Sequence, residues 1–242
     1  MTEFVVITRP LAQADVLAQR VTALGREAVI FPLLEILPLD DPTPLQDALR
    51  DLDQYALIAF VSPNAIDAAF AARADWPRHI PLAVVGEGSR AALASHGATA
   101  HNSTIISPTD LDRTDSQTLL AELDLDALRG KQVLIVRGET GRELLGDALR
   151  AAGAQVTPVA AYRRVAPAFD NARRSELKRL LACQNDWIVT SSEGLRFLTE
   201  MVAQLDDTGS VAQMPHQRII GSHVRIAETA QLLGFGNITL TR

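Results

Sequence analysis

An internal repeat constrains the fold of this chain more than any other feature of its sequence. Arg9 and Arg137 each follow a short apolar run, and these two arginines lie 128 positions apart in the 242-residue chain. Gly25 and Gly153, which end the helical patterns that come next, have the same separation. Similarity at a fixed separation indicates a duplicated structural unit. The sequence therefore predicts two copies of one fold.

Two further loops recur later in each copy. Ser62 and Ser191 follow short apolar runs and are 129 positions apart, and Gly86 and Gly221 are 135 positions apart. An insertion would cause this drift in separation. In both copies a predicted strand precedes each loop and a predicted helix follows it. Strands that alternate with helices form parallel sheets covered by helices, so the predicted fold class is α/β with two similar parallel-sheet domains.

The domain border is predicted from two segments that follow the second strand of each copy, near 34–39 and 161–167. Each segment could pass from one domain to the other. Two such crossings make domain 1 discontinuous, with residues 1–33 and 168–242, and leave 40–160 as domain 2. Because ligands of open α/β sheets bind beyond the carboxyl ends of the strands, two facing domains are expected to enclose a ligand cleft.

Composition argues against several classes of function. The apolar fraction of 47% allows a sizeable core, and the formal charge of −6 lacks the basic surplus of a nucleic-acid binder. No apolar stretch approaches the roughly 18 residues of a membrane span, so we expect neither nucleic acid nor membrane as a partner. The start of the chain has no basic and apolar leader, which predicts a cytoplasmic protein without a signal peptide.

The cysteine and histidine content indicates neither a disulfide nor a metal site. Cys183 is the single cysteine, stands in an apolar stretch and is expected to be an inert buried thiol of a reducing compartment. The five histidines show none of the spacings that hold a metal ion. We therefore expect a protein without a metal site.

The recurring serine loops could bind anions. Each loop joins the end of a strand to the start of a helix, where unpaired backbone N–H groups and the helix dipole favour carboxylates and phosphates. The alternative is that the serines only cap their helices. Recurrence in both copies favours the binding role, although duplication of a purely structural cap could also cause it. The candidate residues in these two loops are Ser62, Pro63, Asn64, Ser191, Ser192, Glu193 and Gly194.

Arginines at the ends of the first strand of each copy are further candidates. Arg9 and Arg137 could bind a carboxylate or phosphate through two parallel hydrogen bonds, or they could form local salt bridges instead. The glycine-rich turn from Gly138 through Arg142 to Glu143 could also cradle an anion. It lacks the Gly-Lys-Ser/Thr ending of a P-loop, so a nucleoside triphosphate is not indicated.

The loop Gly86–Ala91 has the G-x-G-x-x-G/A form of a dinucleotide fingerprint. The acidic partner expected about 20 residues further on is not convincing, because Asp110 stands in a polar loop. The matching loop of the second copy, Gly221-Ser222-His223, lacks the second glycine, which leaves a nucleotide-dependent enzyme as a minor alternative. His223 could act as an acid or base near neutral pH, or it could simply begin a helix.

Tyr162 stands in the second crossing segment and is one of only two tyrosines in the chain. Its phenol could face the cleft and donate a proton. Its ring could equally do no more than pack between the domains. The residues alone leave both interpretations open.

Taken together, these segments resemble the uroporphyrinogen-III synthase family in order, spacing and total length. The matching segments are Thr8-Arg9-Pro10, Phe60–Ala65, Val84–Gly86, Arg137-Gly138, Tyr162-Arg163, Thr190–Gly194 and Ile219–Gly221. The resemblance covers nearly the whole chain and implies two flavodoxin-like α/β domains joined by a two-stranded connector. Val224 departs from the family's pattern, which often has threonine there, and this leaves Ser222 or His223 to replace the missing hydroxyl.

The resemblance also implies an activity. The family closes hydroxymethylbilane, a linear tetrapyrrole rich in carboxylates, into uroporphyrinogen III in haem and sirohaem biosynthesis. Water is eliminated and the last pyrrole ring, ring D, is inverted, with neither cofactor nor metal. We therefore expect a cyclising lyase that works as a monomer. The alternative is a non-catalytic two-domain protein that binds a small anion.

The resemblance assigns roles to individual residues. Tyr162 is the candidate proton donor and Ser89 the second candidate. The residues expected to bind the substrate are Arg9, Ser62, Pro63, Asn64, Gly86, Ser89, Arg137, Gly138, Ser191, Ser192, Glu193, Gly194, Gly221, Ser222 and His223.

Overall fold

The computed structural model describes residues 3–109, 116–141 and 143–241. Its strands are β1 (Val5–Ile7), β2 (Ala28–Ile30), β3 (Glu35–Leu37), β4 (Leu57–Phe60), β5 (Leu82–Val84), β6 (Ile105–Ile106), β7 (Gln132–Gly138), β8 (Gln155–Val165), β9 (Asp186–Val189), β10 (Arg218–Gly221) and β11 (Asn237–Leu240). Its helices are α1 (Asp15–Ala23), α2 (Thr43–Arg50), α3 (Pro63–Ala72), α4 (Glu87–Ser95), α5 (Ser116–Ala121), α6 (Leu144–Ala151), α7 (Asn171–Leu181), α8 (Ser192–Ala203), α9 (Thr208–Gln213) and α10 (Val224–Leu232).

The chain divides into two compact units, each built around its own sheet. Unit 1 comprises Met1–Glu35 and Val165–Arg242, and unit 2 comprises Ile36–Arg164. The sheet of unit 1 has the order β2-β1-β9-β10-β11, and its neighbouring strands are parallel. The other sheet has the order β3-β8-β7-β4-β5-β6, in which the pairs from β8 to β6 are parallel. The predicted α/β class with two similar parallel sheets is confirmed.

Each sheet combines strands from both copies of the sequence repeat. The first copy supplies β1 and β2 to unit 1 but β4, β5 and β6 to unit 2. The second copy does the reverse, with β7 and β8 in unit 2 and β9, β10 and β11 in unit 1. Strand for strand, β2-β1-β9-β10-β11 matches β8-β7-β4-β5-β6. The two copies have therefore exchanged their first strand–helix–strand segments.

The chain passes between the units within two strands that pair with each other. The passages fall after Glu35, in β3, and after Arg164, in β8, and these strands are neighbours in the sheet. They form the two-stranded connector that the family resemblance implied. β8 is eleven residues long and extends into the segment near 161–167 that was interpreted as a crossing, so Tyr162 belongs to the sheet.

Arg173 fixes the chain on the unit 1 side of the connector. Its guanidinium lies 4.2 Å above the ring of Phe31 and donates a hydrogen bond to the backbone oxygen of Pro32. Burial lowers the pKa of Arg173, and the nearby carboxylates of Glu35 and Asp170 act in the opposite direction. Cation–π contact and a charge-assisted hydrogen bond thus connect α7 to the segment that leaves unit 1.

Each unit has an apolar core on its own sheet. In unit 2, Phe60 and Trp76 pack with Phe70, whose ring is stacked on Trp76 at 4.4 Å between centroids. In unit 1, Trp187 is fully buried and meets the ring of Phe31 edge-on at 6.2 Å. Strands of a parallel sheet covered by helices are buried on both faces, which explains the continuous apolar runs in the sequence.

Most predicted elements are present, and the differences have local causes. Gly25 and Gly153 follow α1 and α6 with φ of +76° and +93°, which confirms the predicted glycine stops. Leu24 stands directly before the first of these glycines, and its side chain is 83% exposed. The reason is that α1 ends at Ala23, so Leu24 lies beyond the buried face.

Two predictions fall on residues that the structure does not describe. Arg142, in the glycine-rich turn that could cradle an anion, and Asp110, the weak partner of the dinucleotide fingerprint, lie outside the described residues. The helix that follows this turn, α6, begins at Leu144.

Candidate functional site

Ser62 begins helix α3 at the carboxyl end of β4. Its backbone is extended, and its Oγ accepts a hydrogen bond of 3.2 Å from the backbone N–H of Ala65. Pro63 is the first helical residue, where its missing N–H and fixed φ are well tolerated. The structure therefore contains the N-cap that was the alternative interpretation of Ser62, and the hydroxyl proton of the serine remains for another partner.

That partner is Tyr162, which lies 100 residues away in the sequence. The hydroxyl oxygens of Ser62 and Tyr162 are 3.0 Å apart, and either one can donate. Tyr162 belongs to β8 and is only 5% exposed. Since β8 and β4 both flank β7 in the sheet, the pair stands at the carboxyl edge of unit 2.

A β-bulge sets the position of Tyr162. Arg137 pairs with Ala160, but Gly138 pairs with Tyr162, so the register shifts by one residue between Arg137 and Gly138. The ring then lies directly against the α-carbon of Gly138. A Cβ at this position would meet the Cζ of Tyr162 at 3.0 Å and its hydroxyl oxygen at 3.2 Å. Such contacts are tighter than most that a Cβ makes, so a side chain at 138 would require the Tyr162 ring to shift by a few tenths of an ångström.

The loop after β5 lies beside the Ser62 loop. Gly86 precedes α4, and Ser89 in the first turn donates its backbone N–H to the oxygen of Gly86 at 3.0 Å. A Cβ on Gly88 would lie 3.7 Å from the ring of Pro63. The side chain of Ser89 is buried, with 2% exposure. The two loops therefore present adjacent helix N-termini at one edge of the sheet.

Arg137 forms a local ion pair. It lies within β7, not beyond the strand end as the sequence suggested, because β7 continues to Gly138. Its guanidinium is largely buried and pairs with Glu143, and Glu143 also lies 3.9 Å from Arg150. The salt bridge that sequence analysis left as an alternative is therefore present, and Arg137 would have to share its charge with any bound anion.

Arg9 differs from Arg137. It follows Thr8, which lies just past β1 and whose hydroxyl donates to the backbone oxygen of Ile188 at 2.8 Å. The Nε of Arg9 is buried and has no hydrogen-bond partner among the described residues. Burying an unpaired donor of a cation is costly. An anionic ligand would remove this cost.

The serines of unit 1 form a second capped loop. Ser191 Oγ accepts from the backbone N–H of Gly194 at 3.3 Å and begins α8. Ser192 Oγ donates to the backbone oxygen of Arg225 at 3.2 Å and receives a 3.0 Å hydrogen bond from Thr229. These contacts join the loop that follows β9 to the helix that follows β10.

Two residues in the α3 and α8 helix starts correspond to each other. Asn64 and Glu193 each stand at the second residue of their helix. Gly194 follows Glu193, and a Cβ there would meet Leu33 at 3.3 Å. Glycine thus lets α8 approach the segment that leaves unit 1.

His223 begins α10 in the last of these loops. Its Nδ1 accepts a hydrogen bond of 3.2 Å from the backbone N–H of Arg225. Gly221 ends β10, and a Cβ on it would meet Ile226 at 3.2 Å. Ser222 lies between them with its side chain exposed. His223 therefore caps the start of α10, which is one of the two roles that the sequence left open.

Sequence reasoning missed two contributors to these loops. Thr229 lies inside α10, with its Oγ1 2.8 Å from the backbone oxygen of Arg225, four residues earlier, so no capping pattern announces it. Arg164 donates to the backbone oxygen of Thr140 at 2.9 Å and thereby supports the turn after β7. The arginine was visible next to the Tyr162 segment, but only the pairing of β7 with β8 connects it to that turn.

The fold and these loops define a class of protein. It is a parallel-sheet α/β protein with two units, whose strand-end loops present helix N-termini, hydroxyls and arginines suited to anions. Across residues 3–109, 116–141 and 143–241, no cluster of three or more His, Cys, Asp or Glu residues could hold a metal ion. The same residues contain no helix with the length and apolar character needed to cross a membrane.

Comparisons with known sequences identify the family. The family model described as uroporphyrinogen-III synthase HemD matches residues 15–240. The chain is 34% identical over 241 residues to the uroporphyrinogen-III synthase of Escherichia coli (strain K12), which covers 97% of this chain and 93% of that protein. It is 35% identical over 202 residues to that of Salmonella typhimurium, with 83% and 80% covered. The chain therefore belongs to the uroporphyrinogen-III synthase family, as its motifs indicated, and is a cyclising lyase of tetrapyrrole biosynthesis.

Solved structures share the fold. A mutant uroporphyrinogen III synthase from the extremely thermophilic bacterium Thermus thermophilus superposes with a TM-score of 0.59 at 15% identity, covering 99% of this chain and 93% of that one. The Helicobacter pylori 26695 enzyme gives a TM-score of 0.57 at 16% identity, with 98% and 92% covered. At these identities the likeness concerns the fold alone.

Proposed function

We propose that this chain closes hydroxymethylbilane into uroporphyrinogen III, with loss of water and inversion of ring D, and that Tyr162 supplies the proton for this reaction. The observation that carries the assignment of Tyr162 is its hydroxyl pair with Ser62, held at the carboxyl edge of the unit 2 sheet. A phenol that is buried and hydrogen-bonded is a well-placed donor. No cofactor is needed for the elimination, and we expect the protein to act as a monomer.

The substrate's carboxylates are bound by the strand-end loops in this proposal. The protein has a formal charge of −6, so binding depends on local donors. These are the backbone N–H groups at the starts of α3, α4, α8 and α10, strengthened by the helix dipoles. The proposed binding residues are Arg9, Ser62, Pro63, Asn64, Gly86, Ser89, Arg137, Gly138, Ser191, Ser192, Glu193, Gly194, Gly221, Ser222 and His223.

The hydrogen bonds of these residues are compatible with that role. Ser191 uses an oxygen lone pair for its cap, so its hydroxyl proton can be donated to a carboxylate. His223 accepts at Nδ1, which places the proton of the neutral ring on Nε2, where it can serve as a donor. Arg9 brings an Nε that is buried without a partner in the described part of the chain.

The reaction begins at the substrate's hydroxymethyl group. Tyr162 protonates the leaving hydroxyl, and departure of water leaves an azafulvene cation. The substituted end carbon of ring D attacks this cation to give a spiro intermediate, which fragments and closes again with ring D reversed. Ser89 is the second candidate donor, but an aliphatic hydroxyl is a far weaker acid than a phenol. The protein's main task is to hold the two chain ends close enough to react.

A direct assay tests the proposed function. Purified protein is mixed with hydroxymethylbilane, the products are oxidised, and isomers I and III are separated by chromatography. The uncatalysed reaction gives isomer I, so an excess of isomer III without added cofactor is the expected result. Formation of isomer I alone by folded protein would overturn the proposal and favour a protein that only binds a small anion.

A further inference from the structure

The hydroxyl of Tyr162 is constrained by two residues of neighbouring strand ends. Ser62 contacts it at 3.0 Å, and the α-carbon of Gly138 lies beneath the ring. The backbone oxygen of Tyr162 also accepts from the N–H of Glu139 at 2.8 Å. With the backbone fixed on one side and the hydroxyl on the other, the ring has little freedom to turn.

Glycine at 138 allows the Tyr162 ring to lie close to the backbone. The atoms that a Cβ would meet, at 3.0 to 3.2 Å, belong to the rigid Tyr162 ring and not to the end of a flexible chain. A methyl group would therefore push the ring away from its rotamer minimum. Because the hydroxyl is at the far end of that ring, the Ser62 contact is the first to be lost.

The hydrogen bonds of Ser62 allow a direction of the pair in which Ser62 donates to Tyr162. Its oxygen already accepts from the backbone N–H of Ala65, and its own proton can be given to the oxygen of Tyr162. The phenol proton is then available for the substrate. The phenolate that remains after transfer is stabilised by the Ser62 O–H, since a hydrogen bond to the charged form favours that form.

We propose that Gly138 and Ser62 are positioning residues, which hold the Tyr162 hydroxyl in the orientation that donates the proton. This inference rests on the proposed function. The proton passes from Tyr162 to the leaving hydroxyl oxygen, which departs as water with the electron pair of the C–O bond. The proton lost when the closed ring regains its pyrrole form restores the phenol, so nothing else is consumed.

The repeat provides a contrast within the same chain. Ser191 caps α8 as Ser62 caps α3, but the residue 128 positions before Tyr162 is Leu34, which has no hydroxyl. The residue at the same distance before Gly138 is Pro10. A serine can therefore cap its helix without a tyrosine or a glycine at the matching positions. Tyr162 and Gly138 belong to unit 2 only.

The test is a double-mutant cycle read by isomer III formation. Gly138→Ala is expected to lower kcat about tenfold or more, with a smaller change in KM, because small misplacements of a reacting group are costly. In a Tyr162→Phe background the same change should have little further effect. Gly236→Ala is the control, since its Cβ would make only an ordinary contact of 3.8 Å with Pro215.

A parallel cycle at Ser62 avoids dependence on one variant. Ser62→Ala should lower kcat in the wild-type background and not in the Tyr162→Phe background, whereas Ser62→Thr, which keeps a hydroxyl and a cap, should retain most activity. Thermal unfolding shows whether Gly138→Ala folds. If it does not fold, the Ser62 series still tests whether a neighbour of Tyr162 acts through the phenol.

The outcomes separate this inference from the proposed function. Equal losses of kcat in the wild-type and Tyr162→Phe backgrounds would show that Gly138 and Ser62 act independently of the phenol and would overturn the inference. An unchanged kcat in Tyr162→Phe would overturn both the inference and the proton-donor assignment, while isomer III from the wild type still supports the synthase activity. Absence of isomer III from the wild type is the separate failure of the proposed function.

Discussion

Unit 1 and unit 2 arrange matching strands in the same order, yet their strand ends carry different chemistry. Unit 2 has Tyr162 over Gly138, where unit 1 has Leu34 and Pro10 at the same distance along the repeat. Duplication preserved what the scaffold requires, namely strands, capping serines and glycine stops. On the proposed function, the reacting phenol was needed only once.

The arginines of the two units show the same divergence. Arg137 is neutralised by Glu143, whereas Arg9 has a buried Nε that bonds to none of the described residues. Equivalent places in a duplicated sequence therefore need not carry equivalent charge.

Tyr162 and Leu34 provide the sharpest test of the difference between the units. Tyr162→Phe should lower kcat by a factor of about 10² to 10⁴, the usual contribution of a general acid. Leu34→Met, a volume-conserving change at the matching place, should leave kcat nearly unchanged. Steady-state formation of isomer III measures both. Comparable losses in the two variants would mean that the phenol has no special role.

The hydrogen-bond network of Gln217 in unit 1 gives the next largest expected effect, which is on the free energy of unfolding. In unit 1, Gln217 Oε1 accepts from Trp187 Nε1 and from the backbone N–H of Asn185, both at 3.0 Å. Gln217→Met would leave both buried donors unpaired and should lower the free energy of unfolding by about 3 kcal/mol. Gln213→Met, on an exposed site, should change it by less than about 0.5 kcal/mol. Denaturant unfolding measures the free energy of unfolding of both variants. Similar losses in Gln217→Met and Gln213→Met would contradict the importance of this network.

The matched serine caps should separate stability from catalysis. Ser62→Ala and Ser191→Ala each remove one cap and should each cost about 1 kcal/mol of unfolding free energy. Only Ser62→Ala should also lower kcat, because Ser62 contacts the hydroxyl of Tyr162. On the proposed function Ser191 only binds substrate and should act through KM. Paired melting curves and kinetics test this. A fall in kcat of equal size in both variants would erase the proposed distinction between the units.

Cys183 offers the smallest effect and a probe of unit 1 alone. Burial raises the pKa of its thiol, and a hydrogen bond with Glu3 acts in the same direction. Since the thiolate is the reactive form, iodoacetamide at pH 8 should label the folded protein several-fold more slowly than the unfolded chain. Gln217→Met should speed labelling, because Gln217 donates to the backbone oxygen of Cys183. Equal rates for folded and unfolded wild-type protein would refute the expected protection.

Cys183 also shows where local prediction was only partly right. The apolar stretch predicted a fully buried thiol, but the side chain is half-buried. It follows the end of α7, and residues beyond a helix end are not held on the packed face. The same cause explains the exposure of Leu24. Helix α9 and strands β3 and β6 were not predicted. β3 lies in the segment that was interpreted as a crossing, and the two residues of β6 are too few to show a period.

The positions of the loops that carry the candidate site residues were predicted, but the contacts between those residues were not. The loops containing Ser62, Gly86 and Ser191 follow strands as expected. The pairing of Ser62 with Tyr162 could not be predicted, since the two residues are 100 positions apart. Nor could the sequence decide between an anion site and a salt bridge at Arg137, because Glu143 and a bound carboxylate satisfy a guanidinium in the same way.

The sequence by itself determined the repeat, the α/β pattern, the helix stops and the family resemblance, since each depends on short-range order along the chain. Only the tertiary structure decided that the copies exchange their first strands, that β7 carries a bulge at Gly138, and that Tyr162 meets Ser62. The apolar runs of the two copies are alike, so local pattern allows β1 to pair with β4 or with β9. The choice, and every contact that follows from it, depends on where the crossings direct the chain and on how the sheets pack.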